Sequence, residues 1–170
     1  MLSPLLSLSK KTKKGGYTLI EILVSLTIVG LIFGLGFVGY REFARRQDLL
    51  SSIRNLQGNL RFTQELALAG KKPAGCSVLD GYNFKIISNT SYEIRALCDI
   101  VPLAEKIVPL PTGITISNLS PDLTPSNTIL FKTLGAGMNM AVGSSTTITL
   151  TQTATGNTNS ITVTAGGEIR

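Results

Sequence analysis

The chain has 170 residues, 43% of them hydrophobic and only 15% charged, with no histidine and no tryptophan. That composition suits one domain with a modest core, or one domain plus an appended segment, and it excludes an acidic or basic disordered tail. The formal charge of +6 gives only weak support to nucleic-acid binding: Lys10, Lys11, Lys13 and Lys14 carry four of the six charges ahead of a hydrophobic run, leaving +2 for everything after.

Residues 1–16 form a short basic leader ending in Gly15-Gly16. From Tyr17 to Tyr40 the sequence YTLIEILVSLTIVGLIFGLGFVGY is apolar over 24 residues, with Glu21 its one charge. As a helix it is about 36 Å long, enough to cross a bilayer. Gly30 and Gly34 make a small-xxx-small pair, followed by Gly36 and Gly39. Small residues allow close helix approach in lipid, and glycine also weakens the helix.

Residues 41–72 continue the helix in amphipathic form. Leu49, Ile53, Leu56 and Leu60 recur at steps of three and four, with Phe62 and Leu66 as a neighbouring ridge. Arg45, Arg46, Arg54 and Arg61 fall on the opposite side, and Gly70, Lys71, Lys72 and Pro73 stop the helix.

After Pro73 the pattern changes to short β-branched and aromatic runs. Tyr82–Ile87, Tyr92–Leu97, Ile114–Ser117, Thr128–Lys132, Thr146–Thr151 and Ser160–Thr164 are predicted strands. Asp80-Gly81 and Ser88-Asn89 are read as bounding turns, and Gly156-Asn157 as the turn of a closing hairpin. The expected fold class is α+β: a long N-terminal hydrophobic-then-amphipathic helix packed on a C-terminal antiparallel β-sheet head spanning 73–170.

Cys76 and Cys98 are the whole thiol inventory. Their spacing fits neither a C-x-x-C redox pair nor a zinc knuckle. With the head outside the cytoplasm one disulfide is the economical reading; otherwise the two are small buried apolar side chains.

An ordinary secretory signal has its small-residue cleavage site after the apolar run. Here Gly15-Gly16 precede it, and the lysines hold that end in the cytoplasm. A cut after Gly16 leaves the whole apolar helix on the mature chain and creates an α-amino group at Tyr17. Glu21 lies about one turn further on. A lone carboxylate in a lipid-spanning helix is costly and needs a partner. In a bundle of identical helices the new amine of one subunit supplies it to the next. The competing readings are an uncleaved signal anchor, with Glu21 snorkelling to the interface, or a conventional cut near Gly34-Leu35-Gly36.

The run Lys13-Lys14-Gly15-Gly16-Tyr17-Thr18-Leu19-Ile20-Glu21-Ile22-Leu23-Val24-Ser25-Leu26 resembles the class III leader of type IV pilins and type II secretion pseudopilins. The resemblance implies a prepilin peptidase that cuts after Gly16 and methylates the amine of Tyr17, which stands where the family usually has phenylalanine. It further implies that Glu21 guides subunits into a filament. The implied partners are the peptidase, other pilin or pseudopilin subunits, an inner-membrane assembly platform and membrane lipid. The implied location is the bacterial inner membrane, single-pass, N-terminus cytoplasmic and head extracytoplasmic, then a surface or periplasmic filament. The head, through Ile107–Ile116, Ile129–Phe131 up to Gly135, and Ile161–Val163 through Arg170, is similar to the minor pseudopilin H and minor pilin T types.

An enzyme is not expected. With no histidine and no paired thiol and base, the usual acid–base and nucleophilic players are missing. Glu105, Asp99 and Asp122 read as solvated charges, Gly135-Ala136-Gly137 as a turn rather than a phosphate loop, and no cofactor or metal is called for. A DNA-uptake minor pilin is a weaker alternative, because the final Gly167-Glu168-Ile169-Arg170 offers a single arginine beside an acid where phosphate binding needs several cations.

Overall fold

A computed structural model describes residues 15–99, 101–121 and 127–170. The leader residues 1–14 and Asp122 lie outside these, as does the Glu105 side chain. The chain is α+β, with one long helix α1 (Leu19–Leu68) followed by an antiparallel head. It divides into two compact units, Met1–Arg41 and Glu42–Arg170.

In the second unit α1 buries Leu49, Ile53, Leu56, Leu60 and Leu66, the last of the neighbouring ridge. Phe62, expected beside Leu66 on that ridge, is 43% exposed. The stripe is instead completed by Ser52, Thr63 and Ala67, which hold the three- and four-residue steps. Ser52 and Thr63 donate to the carbonyls of Asp48 and Asn59, each at 2.7 Å, so burial leaves neither hydroxyl unsatisfied. The helix stops at Leu68, four residues before the expected end. Gly70 takes φ +59°, its N–H bonds Ala67 O at 3.1 Å, and Lys71 N–H bonds Leu66 O at 3.3 Å. This double bond around a left-handed glycine is the Schellman ending.

Seven strands follow: β1 (Leu79–Ser88), β2 (Ser91–Cys98), β3 (Val101–Pro109), β4 (Ile114–Ile116), β5 (Thr128–Lys132), β6 (Ser145–Gln152) and β7 (Thr158–Thr164). They make a four-stranded sheet in the order β3-β2-β1-β5 and a three-stranded sheet in the order β4-β6-β7. Six of them match the predicted runs. β3 has no counterpart there, because Pro102 and Pro109 demote a strand on sequence; it occupies the edge of its sheet, where a missing N–H costs least. Asp80-Gly81, read as a turn, lies inside β1 at a register shift. A Cβ on Gly81 would run into the backbone carbonyl of Phe131 on β5, so glycine is what lets the two strands close.

One hydrophobic cluster joins the helix stripe to the inner faces of both sheets. Phe84 and Tyr92 stack with ring centroids 4.8 Å apart. The Tyr92 hydroxyl accepts a 2.7 Å bond from Asn59 of α1, and Asn59 Oδ1 accepts from Lys106 of β3 at 3.3 Å, a polar chain tying helix and sheet. Burial pushes the Tyr92 phenol above its ordinary value, partly opposed by the Asn59 bond. A raised folded-state pKa means stability that is full below about pH 10 and is lost as pH climbs through the higher folded value. Tyr92→Phe should therefore flatten the alkaline limb of the head's thermal stability measured between pH 9 and 11.

Cys76 and Cys98 are joined, with Cα atoms 5.4 Å apart. Beside this bond Ser77 donates to Asp99 Oδ2 at 2.6 Å. Together these clamp the segment following the helix to the end of β2. Closing a loop of 22 residues is worth about 3 kcal/mol, mainly through the unfolded chain. Reduction of the full chain in micelles should lower the head's melting temperature by roughly 10 °C, read by near-ultraviolet dichroism.

Candidate functional site

The apolar part of α1 has Leu19, Ile22, Leu26 and Ile32 exposed among its described residues. Its most apolar window has a mean hydropathy of 2.4 and none of it is buried in the protein, so the helix is long and apolar enough to cross a membrane. Its interior polar side chains are internally satisfied: Ser25 donates to Glu21 O and Thr27 to Val24 O, both at 2.7 Å. In hydrocarbon an unsatisfied hydroxyl is costly, so these local bonds make both residues compatible with lipid. Open space around Gly30 and Gly34 leaves room for a close neighbour.

Gly16 and Tyr17 lie just ahead of the helix, and Tyr17 is 79% exposed. Glu21 sits in the first turn. Its N–H meets both the carbonyl of Thr18, at 3.1 Å, and the Thr18 hydroxyl, at 3.3 Å. Thr18 is thus the N-cap and Glu21 the third helical residue, the spacing of a capping box. Thr18 went unremarked in the sequence reading, although Thr-x-x-Glu before an apolar run is a legible signal. The cap fixes where the helix begins, and so fixes Glu21 on its first turn, where the helix dipole favours a carboxylate. Among the described residues Glu21 has no ion-pair partner.

The structure therefore gathers Gly16, Tyr17 and Glu21 at one end of the helix, with Thr18 holding the start. The prokaryotic N-terminal methylation motif matches residues 11–37. That match spans the four basic residues' last three members, the glycine pair, Glu21 and most of the apolar run. It supports a type IV pilin-like N-terminus of the kind that a prepilin peptidase processes. No curated protein and no solved structure matches the chain.

The disulfide belongs to the head and lies among structural rather than chemical groups. Asp99 is exposed in the β2–β3 turn with φ +50°, a conformation that aspartate tolerates. Gly135 and Gly137 lie in and after a single 3-10 turn (Thr133–Gly135) at φ +76° and +92°. Arg170 is paired to Glu168 at 2.9 Å.

One group of residues was missed altogether. Glu93 on β2 is only 2% exposed. It faces away from the helix side, on the same face as Arg95, whose Nη2 reaches Glu93 Oε1 at ion-pair range without hydrogen-bond alignment. Arg95 Nε meets no acceptor among the described residues. In the sequence YEIRAL both charges sit at alternate positions that read as a solvent face, and nothing local announces that the face is covered.

Proposed function

We propose that the chain is a minor pilin or pseudopilin subunit, cut by prepilin peptidase after Gly16, methylated on the Tyr17 amine and assembled through its N-terminal helix into a type IV pilus or type II secretion pseudopilus. The observation that carries this reading is the coincidence of the methylation motif at 11–37 with Glu21 held in the first turn of a long, exposed apolar helix. Cleavage creates a cation, and the helix already holds its anion. Pairing the two between adjacent subunits removes two charges from a low-dielectric bundle together, whereas either alone is penalised.

In this reading the subunit waits in the inner membrane as a single span, N-terminus cytoplasmic and head extracytoplasmic, until an assembly platform lifts it into the array. It is a structural subunit and not an enzyme, and it requires no cofactor. The resemblance of the head's segments to the minor pseudopilin H and minor pilin T types supports a minor subunit, at a tip or in an initiating complex, over the bulk building block.

The test is the N-terminal peptide mass of the protein in sheared filaments and in washed membranes of its host. A methylated Tyr17 start in filaments supports processing and a surface pilus. A Tyr17 start confined to membranes supports a short pseudopilus or initiating complex. An intact Met1 start in both fractions, with the peptidase active, overturns the reading in favour of an uncleaved membrane-anchored β domain.

A further inference from the structure

The outer face of the three-stranded sheet is composed of hydroxyls. On β6, Thr147, Thr149 and Thr151 point outward between the buried Ile148 and Leu150. Their register partners on β7 are Thr162, Ser160 and Thr158. Thr115 of β4, opposite Thr151, carries the row across the third strand. All nine outward positions of the three strands are serine or threonine, with no charge and no aromatic ring among them. β-propensity explains some of the threonine, but exposed strand faces ordinarily mix in lysine, glutamate and arginine.

The rows lie about 4.8 Å apart from strand to strand and about 6.8 Å apart along each strand. The hydroxyls are partly fixed already: Thr147 and Thr162 share a 3.2 Å bond, and Thr115 donates to Thr151 O at 3.4 Å. At one end the face opens into a shallow hollow of about 450 Å³, bounded by Ser145, Thr162 and Thr164 and by the Glu168–Arg170 pair. The Arg170 bond holds the Glu168 carboxyl below its ordinary range, so the hollow presents an ionised acceptor beside a guanidinium donor.

We propose that this face binds a neutral, extended polysaccharide lying across the strands, with one sugar seated in the hollow against Glu168 and Arg170. A face without cations has no attraction for a polyanion, and one without apolar side chains has none for lipid tails. A hydroxyl both donates and accepts, which is what a surface of sugar hydroxyls requires. The sugar repeat of an extended glycan is close to the inter-strand spacing, so successive residues meet successive strands. In the hollow, carboxylate and guanidinium provide the charge-assisted bonds that fix orientation. With no ring for stacking, each contact is weak and retention accumulates over rows. The proposal concerns the head alone and stands whether or not the chain enters a filament.

The full chain, purified in a detergent without a sugar headgroup, is mixed with microcrystalline cellulose and with chitin particles, and the bound fraction is measured. Saturable retention on at least one polymer is expected, unchanged in about 1 M NaCl because no screened charge drives it. Thr149→Lys in the middle of the lattice and Glu168→Ala in the hollow should each weaken binding about tenfold or more, while Val142→Lys, at a fully exposed site off the sheet, leaves it intact. Glu168 is exposed, so its substitution tests the hollow even where Thr149→Lys fails to fold. Absence of retention on both polymers, salt-sensitive retention, or equal loss in all three variants overturns the proposal. So does a wild-type dimer that Thr149→Lys splits without any polymer binding, which would assign the face to a second copy of the chain.

Discussion

Glu21→Ala is expected to leave cleavage after Gly16 unaffected and to cut incorporation into filaments by about tenfold or more, equivalent to at least about 1.4 kcal/mol per subunit. The substitution lies in the first turn but keeps the Thr18 cap, which bonds the backbone N–H of Glu21 and not its side chain. The peptidase substrate is therefore preserved in backbone geometry, and the loss falls on the later step. Without the carboxylate, the amine created at Tyr17 enters the helix bundle uncompensated, and an unpaired charge in that setting costs more than the pair gained. The readout is two peptide intensities, the Tyr17-start peptide in membranes and in filaments. Glu21→Asp should recover part of the filament signal, because it retains charge at shorter reach. Normal incorporation of the alanine variant would remove the electrostatic account while leaving the cleavage account standing.

Arg95→Ala should be among the most damaging single changes in the head, at about 3–5 kcal/mol, because it leaves the buried Glu93 carboxylate without its counter-ion. In a head of this size the melting temperature should fall by more than about 10 °C. The double substitution Glu93→Leu with Arg95→Leu should return much of that loss, since replacing both members of a buried pair by apolar groups of similar bulk is often neutral. Recovery in the double variant separates a charge effect from simple loss of the arginine stem's packing. Equal destabilisation of single and double variants would mean that the stem is what matters.

The sequence made the helix and most strands legible because period and composition agree there. Leu49, Ile53, Leu56 and Leu60 give a helical stripe that nothing contradicts, and Gly70 marks its end within two residues. Reading failed where local chemistry and tertiary setting disagree. β3 carries two prolines that argue against a strand, but an edge position removes the objection. Asp80-Gly81 has turn composition, yet the glycine serves close approach to β5 inside a strand. Phe62 is apolar but lies outside the stripe, whereas Ser52 and Thr63 are polar but enter it by bonding to their own helix. At the candidate site, Gly16 and Glu21 stood out through an unusual order of small, charged and apolar residues. Thr18 was legible as a cap but overshadowed by that order. Glu93 was not legible, since alternate charges along a strand read as a solvent-facing row, whereas Glu93 is only 2% exposed.

The rims of the two sheets have a consequence for a chain proposed to polymerise through its helix. Crowded subunits risk a second, competing polymer in which bare strand edges zip together. Each rim is closed to that route. β3 contains Pro102 and Pro109, which lack the N–H that an added strand would need. Along β5, the Asn139 amide bonds Leu130 N and Thr128 O at 2.9 and 3.0 Å, standing in for a neighbouring strand. Beside β7, Arg170 exchanges two 3.0 Å backbone bonds with Thr162, and β4 is only three residues long. Dense packing of such heads can thus proceed without runaway aggregation, leaving the helix as the element that decides who joins whom.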